Sequence, residues 1–165
     1  MTQPIRLKNY DNSETGCCAR FPVKKWDNKT LKWKDKLFVK DRVRSICHIP
    51  LNFGKVVERV FDKAGEAFPK DYIWFNDENS FWGSDYYVHV SRRVPGIENV
   101  KISGTFMTKV FEGPFRDMGK WTKEMERYVK SKGKKVKKFY YCYTTCPKCA
   151  KTFGKNYVVL IAQVA

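Results

Sequence analysis

The fold is decided by a pattern in residues 42–61, RVRSICHIPLNFGKVVERVF, that recurs in residues 104–121, GTFMTKVFEGPFRDMGKW. Each segment starts with an extended stretch, turns at an elbow that contains proline, asparagine or glycine, and continues with helical spacing. Two copies of one pattern in a chain of this length predict an internal repeat. Because a duplicated fold usually closes a groove between its halves, the pattern also predicts a ligand-binding cleft.

Further elements follow from local patterns on either side of each elbow. In the first half we expect a strand over 37–49, a helix capped by Asn52 and ending near Gly65, and two short strands at 71–75 and 85–90. The second half predicts a strand over 101–111, a helix over 115–130, and strands at 139–144 and 156–164. Residues 91–99, which include Pro95, form the predicted connector.

The predicted fold class is therefore α+β, with duplicated strand-helix-strand-strand units related by a pseudo-twofold axis. The strands form an antiparallel sheet, the helices pack on it, and a cleft lies between the halves. Residues 1–36 are predicted to be an N-terminal arm and loop that pack on the core. Residues 37–165 are predicted to be one domain made of repeats at about 37–92 and 98–165, which share a core because each is too small for independent stability.

Composition limits the classes of protein to consider. The chain has 165 residues and 42% hydrophobic content, which suit one compact domain. It contains no run of about 20 apolar residues and no apolar signal-peptide core, so we expect a cytoplasmic protein without membrane contact. The net charge of +16 favours an anionic partner such as nucleic acid. The dense lysine run at 130–138, KSKGKKVKK, is interpreted as a solvated turn after a helix.

The elbow at residues 109–115, KVFEGPF, is followed by an aromatic helix containing Trp121 and resembles the signature of the GyrI-like (gyrase-inhibitor-like) small-molecule-binding family. The segment Ile49-Pro50-Leu51-Asn52 is the equivalent in the first half, and the resemblance covers about residues 37–165. It implies a multidrug-binding type of cleft and a stand-alone member, in a family that includes drug sensors, gyrase-inhibitory proteins and hydrolases of strained electrophiles. The last strand, at 157–162, carries no acid, so cation sensing through a glutamate there is not implied.

Aromatic residues make up 16% of the chain and provide the candidate ligand-binding wall. Most of these rings could equally be core. Glu112, at the mouth of the elbow, is the candidate general base toward water, and a surface acid is its alternative. The residues predicted to bind the ligand are Trp74, Trp82, Tyr86, Phe111, Tyr140 and His48, and those predicted to be catalytic are Glu112 with Tyr86 or Tyr143. His89 lies between two valines and is expected to face away from them.

Cysteines form the sharpest local motif, C-x-x-x-C-x-x-C at Cys142, Cys146 and Cys149. A Cys-x-x-Cys turn presents two thiolates to one tetrahedral zinc ion, and Cys17 or Cys18 could supply a fourth ligand. A reactive dithiol and ordinary reduced thiols are the alternatives. No cofactor is certain, and a structural zinc is the one that the motif suggests.

These observations predict a protein, monomeric or homodimeric, that binds a small lipophilic or aromatic molecule in the inter-repeat cleft. Hydrolysis of a strained electrophilic compound is the associated enzymatic hypothesis. The alternatives are a nucleic-acid-associated protein and a protein-titrating binder of the gyrase-inhibitor type, neither with catalysis. Affinity for nucleic acid that persists at physiological salt would favour the first of these.

Overall fold

A computed structural model of the chain describes residues 21–47, 49–70, 72–144 and 147–165, with residues 49 and 147–149 described by their backbone only. These residues form two compact units. The first lies within Lys34–Ser103, and the second comprises residues 21–33 and Gly104–Ala165. Each unit is α+β with antiparallel strands, as predicted. Among the helices that are described, none has the length and apolar character needed to cross a membrane.

The predicted strands and helices occur in the predicted order, with differences at their boundaries, and three short elements at Val23–Trp26, Ile49–Pro50 and Pro147–Phe153 are additional. β1 and β5 each contribute residues to both units. The elements are α1 (Val23–Trp26), β1 (Lys29–Ile46), β2 (Ile49–Pro50), α2 (Phe53–Ala64), β3 (Trp74–Ser80), β4 (Gly83–His89), β5 (Glu98–Glu112), α3 (Met118–Ser131), β6 (Val136–Tyr143), α4 (Pro147–Phe153) and β7 (Tyr157–Val164), with 3-10 turns at Gly65–Ala67 and Phe115–Asp117.

In the first unit, β4 is the central strand, paired on one side with β1 and on the other with β3. Helix α2 buries a stripe of Val56, Val57, Val60 and Ala64, which matches the predicted helical spacing. The helix packs on the sheet face that carries Tyr86, whose ring meets Phe53 edge-on at 5.5 Å between centroids. Asn52 precedes the helix, but its side chain accepts the Arg44 N–H at 2.7 Å instead of capping α2.

The β3–β4 hairpin differs from the prediction because polar residues continue the strand. We expected β3 to end at Phe75 and residues 76–84 to form the turn, since Asn, Asp, Ser and Gly favour turns. Instead Asn76 pairs with Tyr86 and Asp77 with Asp85, and the turn is at Phe81 and Trp82. Tertiary pairing therefore outweighs local turn propensity in this segment. Gly83 is required next to the turn, since a Cβ there would lie 2.4 Å from the Val43 carbonyl oxygen.

In the second unit, β7 lies between β5 and β6. One face of these strands and helix α3 bury a single apolar cluster, with Trp121, Met125 and Val129 supplied by the helix. Strand β5, which precedes α3, is anchored to the end of α1 and the residue after it. The Thr108 hydroxyl donates to the Trp26 carbonyl, and the Val110 N–H donates to Asp27 at 3.0 Å. Residues that we assigned to an arm thus form α1 and the start of β1.

The Gly-Pro elbow is a built turn in which Gly113 has a positive φ of 143°. Asn156 holds it in place, because its backbone carbonyl accepts the Gly113 N–H at 3.0 Å and its side-chain amide donates to the Gly113 carbonyl at 2.9 Å. A Cβ at Gly113 would lie 3.2 Å from Cζ2 of Trp121. Both backbone conformation and space therefore favour glycine at this position.

The α+β class and the antiparallel strands are confirmed, whereas the internal repeat, its pseudo-twofold axis, the cleft and the domain boundaries stay predictions. In each unit a long strand, a helix and two further strands occur in this order, with the short elements β2 and α4 between them. The lysine run begins at the end of α3, where Gly133 has a φ of 71° and the Lys134 N–H bonds the Val129 carbonyl at 3.2 Å. That is the predicted helix-ending turn.

Replacing Gly113 with alanine should destabilise the protein by about 1–3 kcal/mol, because alanine is strained at this φ and its methyl group crowds the Trp121 ring. The measurement is the free energy of unfolding in urea. Gly119→Ala is the matched control, since nothing lies within 4 Å of its Cβ position and its φ is not positive. An equal effect of the two changes would contradict the role assigned to the elbow.

Candidate functional site

Side-chain alternation divides the strands of the first unit into two faces. One face packs against α2. The other, which we call the Phe75–Tyr87 face, collects aromatic and charged residues that lie opposite one another in the β1–β4 and β3–β4 registers. Its members are Phe38, Lys40 and Arg42 on β1, Phe75 and Asp77 on β3, and Asp85, Tyr87 and His89 on β4.

The aromatic half of this face is a set of rings in direct contact. Phe75 and Tyr87 are cross-strand partners, stacked with centroids 5.1 Å apart and planes at 24°. Phe38 meets Phe75 edge-on at 5.2 Å and lies 5.7 Å from the His89 ring. Phe38 and Phe75 are fully buried, whereas Tyr87 and His89 are half-buried. The accessible part of the aromatic wall is therefore at Tyr87 and His89.

The charged half of the face begins two residues closer to the turn of the hairpin on each strand. Asp77 and Asp85 are directly opposite each other in the β3–β4 register. The Asn79 amide donates to both carboxylates, at 2.8 Å to Asp85 and 3.4 Å to Asp77. Asp77 is buried, and the Asp85 side chain is 14% exposed. Two carboxylates beside a stacked aromatic pair are groups that can bind and deprotonate a water molecule.

Two cations from β1 orient Asp85. The Arg42 guanidinium contacts Asp85 at 3.1 Å and also donates to the Asn79 side-chain oxygen at 2.7 Å. The Lys40 ammonium lies 3.8 Å from Asp85, 3.7 Å from Glu98 and 5.9 Å from the centroid of Tyr87. These contacts keep Asp85 in one orientation at the edge of the aromatic wall.

His89 is a neutral imidazole at the end of this face, opposite its valine neighbours as predicted. Burial, and then the positive charge of Lys36, lower the pKa of His89 to about 4. Burial also lowers the pKa of Lys36 itself. Within the described residues, the buried Nδ1 of His89 has no hydrogen-bond partner. The imidazole therefore adds an uncharged polar group to this end of the wall.

The residues predicted to bind ligand in the first unit lie apart from this face. Tyr86 and Trp74 belong to the α2 side, and both are buried, so the structure places them in the core. Trp82 is 69% exposed at the tip of the β3–β4 turn. His48 lies outside the described residues. These assignments stay predictions.

In the second unit, the predicted residues are divided between two faces. Phe111 stacks on Trp121 at 5.7 Å, and Tyr143 meets Phe115 edge-on at 5.7 Å, both on the α3 side. Tyr140 is buried on the opposite side, 6.4 Å from Phe106. Glu112 is exposed, opposite Tyr157 in the register. Glu112 and Tyr143 thus differ in exposure and environment, and their catalytic pairing stays a prediction.

Of the cysteine motif, Cys142 is described with its side chain. It is buried, and burial raises the pKa of its thiol above the ordinary value. Cys17 and Cys146 lie outside the described residues, and Cys149 is described by its backbone only. Where side chains are described, no group of three or more His, Cys, Asp or Glu residues could hold a metal ion. The zinc site stays a prediction.

Sequence reasoning missed Asp77, Asp85 and the Phe38–Phe75 contact. Asp77 was hidden because its polar neighbours favour a turn, and Asp85 was placed on a strand without a functional role. A usable signal was present in the alternation of Asp85, Tyr87 and His89 along one strand. The partners on β1 and β3 required the registers, which the sequence did not supply.

Lowering the pH from 7 to 4.5 should destabilise the protein partly through His89. The unfolded state takes up a proton near pH 6.5, but folded His89 does so only near pH 4, so stability present above pH 6.5 is lost across this interval. We expect a smaller loss of unfolding free energy in His89→Gln, measured in urea at both pH values. Every other titratable group is common to the two proteins, so the difference between them reports on His89. An unchanged pH dependence would contradict the low pKa.

The Cys142 thiol should react much more slowly with iodoacetamide than the exposed Cys47 thiol in the native protein. Burial keeps Cys142 protonated and inaccessible, whereas the thiolate is the reactive species. Peptide mass spectrometry after a short exposure at pH 8 measures both sites. Repeating it with a chelator separates burial from metal protection, since only metal protection is lifted. Rapid labelling of Cys142 without chelator would contradict its burial.

Comparison with known proteins places the chain in a family and supports its fold. The family described as "Bacterial hydrolase" matches residues 8–164. Solved structures with the same fold include a hydrolase from Listeria innocua, 11% identical with a TM-score of 0.60, and an uncharacterized conserved protein from Listeria innocua, 12% identical with a TM-score of 0.60. Each alignment covers 84% of this chain and 92% of the other.

A second hydrolase structure from Listeria innocua is 11% identical, with a TM-score of 0.58 and the same coverage. Among curated proteins, no significant match is found. At these identities the structural likeness concerns the fold, whereas the family match spans nearly the whole sequence. The chain therefore belongs to the Bacterial hydrolase family.

Proposed function

We propose that this protein binds a small lipophilic or aromatic molecule at the Phe75–Tyr87 face and hydrolyses it. The observation that carries the proposal is the Asp77–Asp85 carboxylate pair beside the stacked Phe75 and Tyr87 rings. Membership of the Bacterial hydrolase family supports the reaction class. The fold is shared with proteins described as hydrolases from Listeria innocua, which gives the same class further support.

The substrate part of the proposal rests on the accessible edge of the aromatic wall. Tyr87 is half-buried, with Phe75 stacked on its ring and the Lys40 ammonium 5.9 Å from its centroid, so an apolar group of the ligand can pack against the part of the ring that remains exposed. His89, neutral above pH 5 or so because its pKa is about 4, adds a polar contact at the same end. The GyrI-like resemblance of the 109–115 elbow supports the same ligand class.

The catalytic part of the proposal assigns water activation to Asp85, with Asp77 as the second carboxylate. Arg42, Lys40 and Asn79 hold Asp85 in place. Asp85 accepts a proton from water while the water oxygen bonds to an electrophilic ring carbon of the substrate, and the strained ring bond breaks. The atom released from the ring then takes up the proton that Asp85 accepted, which restores the carboxylate, so the product is the substrate plus one water molecule.

Turnover of a strained aryl electrophile should depend on this carboxylate pair. With styrene oxide as the probe and its diol measured by chromatography, Asp85→Asn and Asp77→Asn should lower kcat/KM by about 100-fold or more, because a general base typically contributes that much. Tyr87→Leu should mainly raise KM. The matched control is Asp41→Asn, which alters an aspartate on the α2 side that pairs with Arg59 at 2.6 Å.

The same assay tests the assignment made from the sequence. Glu112→Gln should leave turnover unchanged if the site is on the Phe75–Tyr87 face. If Glu112→Gln loses turnover while both aspartate variants stay active, the catalytic site is at the elbow and not on the Phe75–Tyr87 face. If neither styrene oxide nor other aryl epoxides are turned over by the unaltered protein, the hydrolytic part of the proposal is wrong, and equilibrium binding of the same compounds then tests the remaining part.

A further inference from the structure

We propose that the second unit contains a binding site for a phosphate-bearing anion. The site is a groove of about 620 Å³, which we call the lysine groove, formed by β5, the end of α3 and the segment after α1. It is separate from the Phe75–Tyr87 face in sequence and chemistry. Its lining residues are Asn28, Thr30, Met107, Lys109, Tyr128, Lys132 and Lys134.

The centre of the lysine groove is the Tyr128 ring, which two ammonium groups approach. Lys109 Nζ lies 5.1 Å from the Tyr128 centroid and 6.0 Å from that of Phe111, and Lys132 Nζ lies 5.9 Å from Tyr128. Lys109 also donates to the side-chain oxygen of Asn28 at 3.4 Å. Contacts of this kind hold the two charges on one aromatic surface.

Backbone structure fixes the other side of the groove. Helix α3 ends at Ser131, and Gly133 closes it with a positive φ of 71°. The Gly133 and Lys134 N–H groups bond the last helical carbonyls, at 2.9 and 3.2 Å. Lysines after a helix often only complement its dipole. Here Lys132 and Lys134 line the same groove as Lys109, which belongs to strand β5. The helix dipole does not account for the position of Lys109.

Among the described residues that line the lysine groove, none is acidic, so this lining does not balance the charge of its three lysines. The adjacent Asp27 carboxylate is engaged by the Val110 N–H at 3.0 Å and the Asn28 amide at 3.4 Å. A cleft in the first unit shows the contrast: its four cations, Lys40, Arg42, Arg59 and Lys63, are accompanied by three acids, Asp41, Asp85 and Glu98. Several of these are ion-paired. Three ammonium groups with no acid in the described part of the lining therefore favour an added anion.

The type of anion follows from the donors. Lysine ammonium groups act as point charges and suit phosphate, whereas arginine provides the planar fork that matches a carboxylate. A phosphate group carries close to two negative charges at neutral pH, which suits three cations better than a single carboxylate does. Thr30 and Asn28 add neutral hydrogen-bonding groups. The volume is that of a small-molecule site, so a free phosphate compound and the backbone of a nucleic acid are the two sources to distinguish.

Binding of inorganic pyrophosphate tests the site directly. Measured by calorimetry at 150 mM NaCl, we expect the unaltered protein to bind and the triple variant Lys109→Gln, Lys132→Gln, Lys134→Gln to lose at least 10-fold in affinity. The matched control removes the same charge from exposed positions outside the groove, as Lys101→Gln, Lys123→Gln, Lys137→Gln, and should bind like the unaltered protein. Pyrophosphate should raise the melting temperature of the control variant and not of the groove variant.

A single-stranded oligonucleotide of 20 residues identifies the source of the phosphate. If the groove holds a nucleic acid backbone, the groove variant should lower the slope of log affinity against log salt by about 2, since three neutralised phosphates each contribute about 0.7. The control variant should change it less. If pyrophosphate binds but the two variants have the same salt dependence for the oligonucleotide, the site is assigned to a small phosphate compound. Equal effects of the two triple variants on both probes, or no binding of either probe, would overturn the proposal.

Discussion

The register between β3 and β4 is the constraint on which the rest of the first unit depends. It places Phe75 opposite Tyr87 and Asp77 opposite Asp85, so one pair stacks and the next pair brings two carboxylates together. A slip of β3 by one residue would turn Phe75 and Asp77 to the α2 side, where Val88 and Tyr86 are fully packed. The turn at Phe81 and Trp82, with Gly83 against the Val43 carbonyl, maintains this register.

Charge is arranged differently in the two units, and the difference has a physical basis. In the first unit, cations of β1 lie beside acids of β4 and β5, so Lys40 and Arg42 mainly orient Asp85. In the second, Lys109 and Lys132 contact aromatic rings instead of acids in the groove that they line. Compared with the cleft that Lys40 and Arg42 line, the lysine groove is therefore the one whose described lining contains lysines without an acid.

Much of the local structure could be predicted from the sequence, because it depends on neighbours along the chain. Valine spacing marked α2, the Gly-Pro elbow marked the start of the second helix, and Gly133 marked its end. The hairpin was predicted less well, since Asn76 and Asp77 are poor strand formers whose cross-strand partners decide their conformation. For the candidate site, the sequence predicted aromatic ligand contacts on these strands and assigned them to Trp74 and Tyr86. The structure places both residues on the α2 side of the sheet, opposite the Phe75–Tyr87 face.

The sequence by itself determined the α+β class, the order of strands and helices and the family resemblance at the elbow, since these depend on periodicity and on short motifs. Tertiary structure decided which side chains meet. Asp77 and Asp85 are eight positions apart, and Lys109 and Lys132 are further apart still, so only strand register and the end of α3 bring each set together. Pairing across strands and convergence on a groove are long-range properties, and one sequence contains no local signal for them.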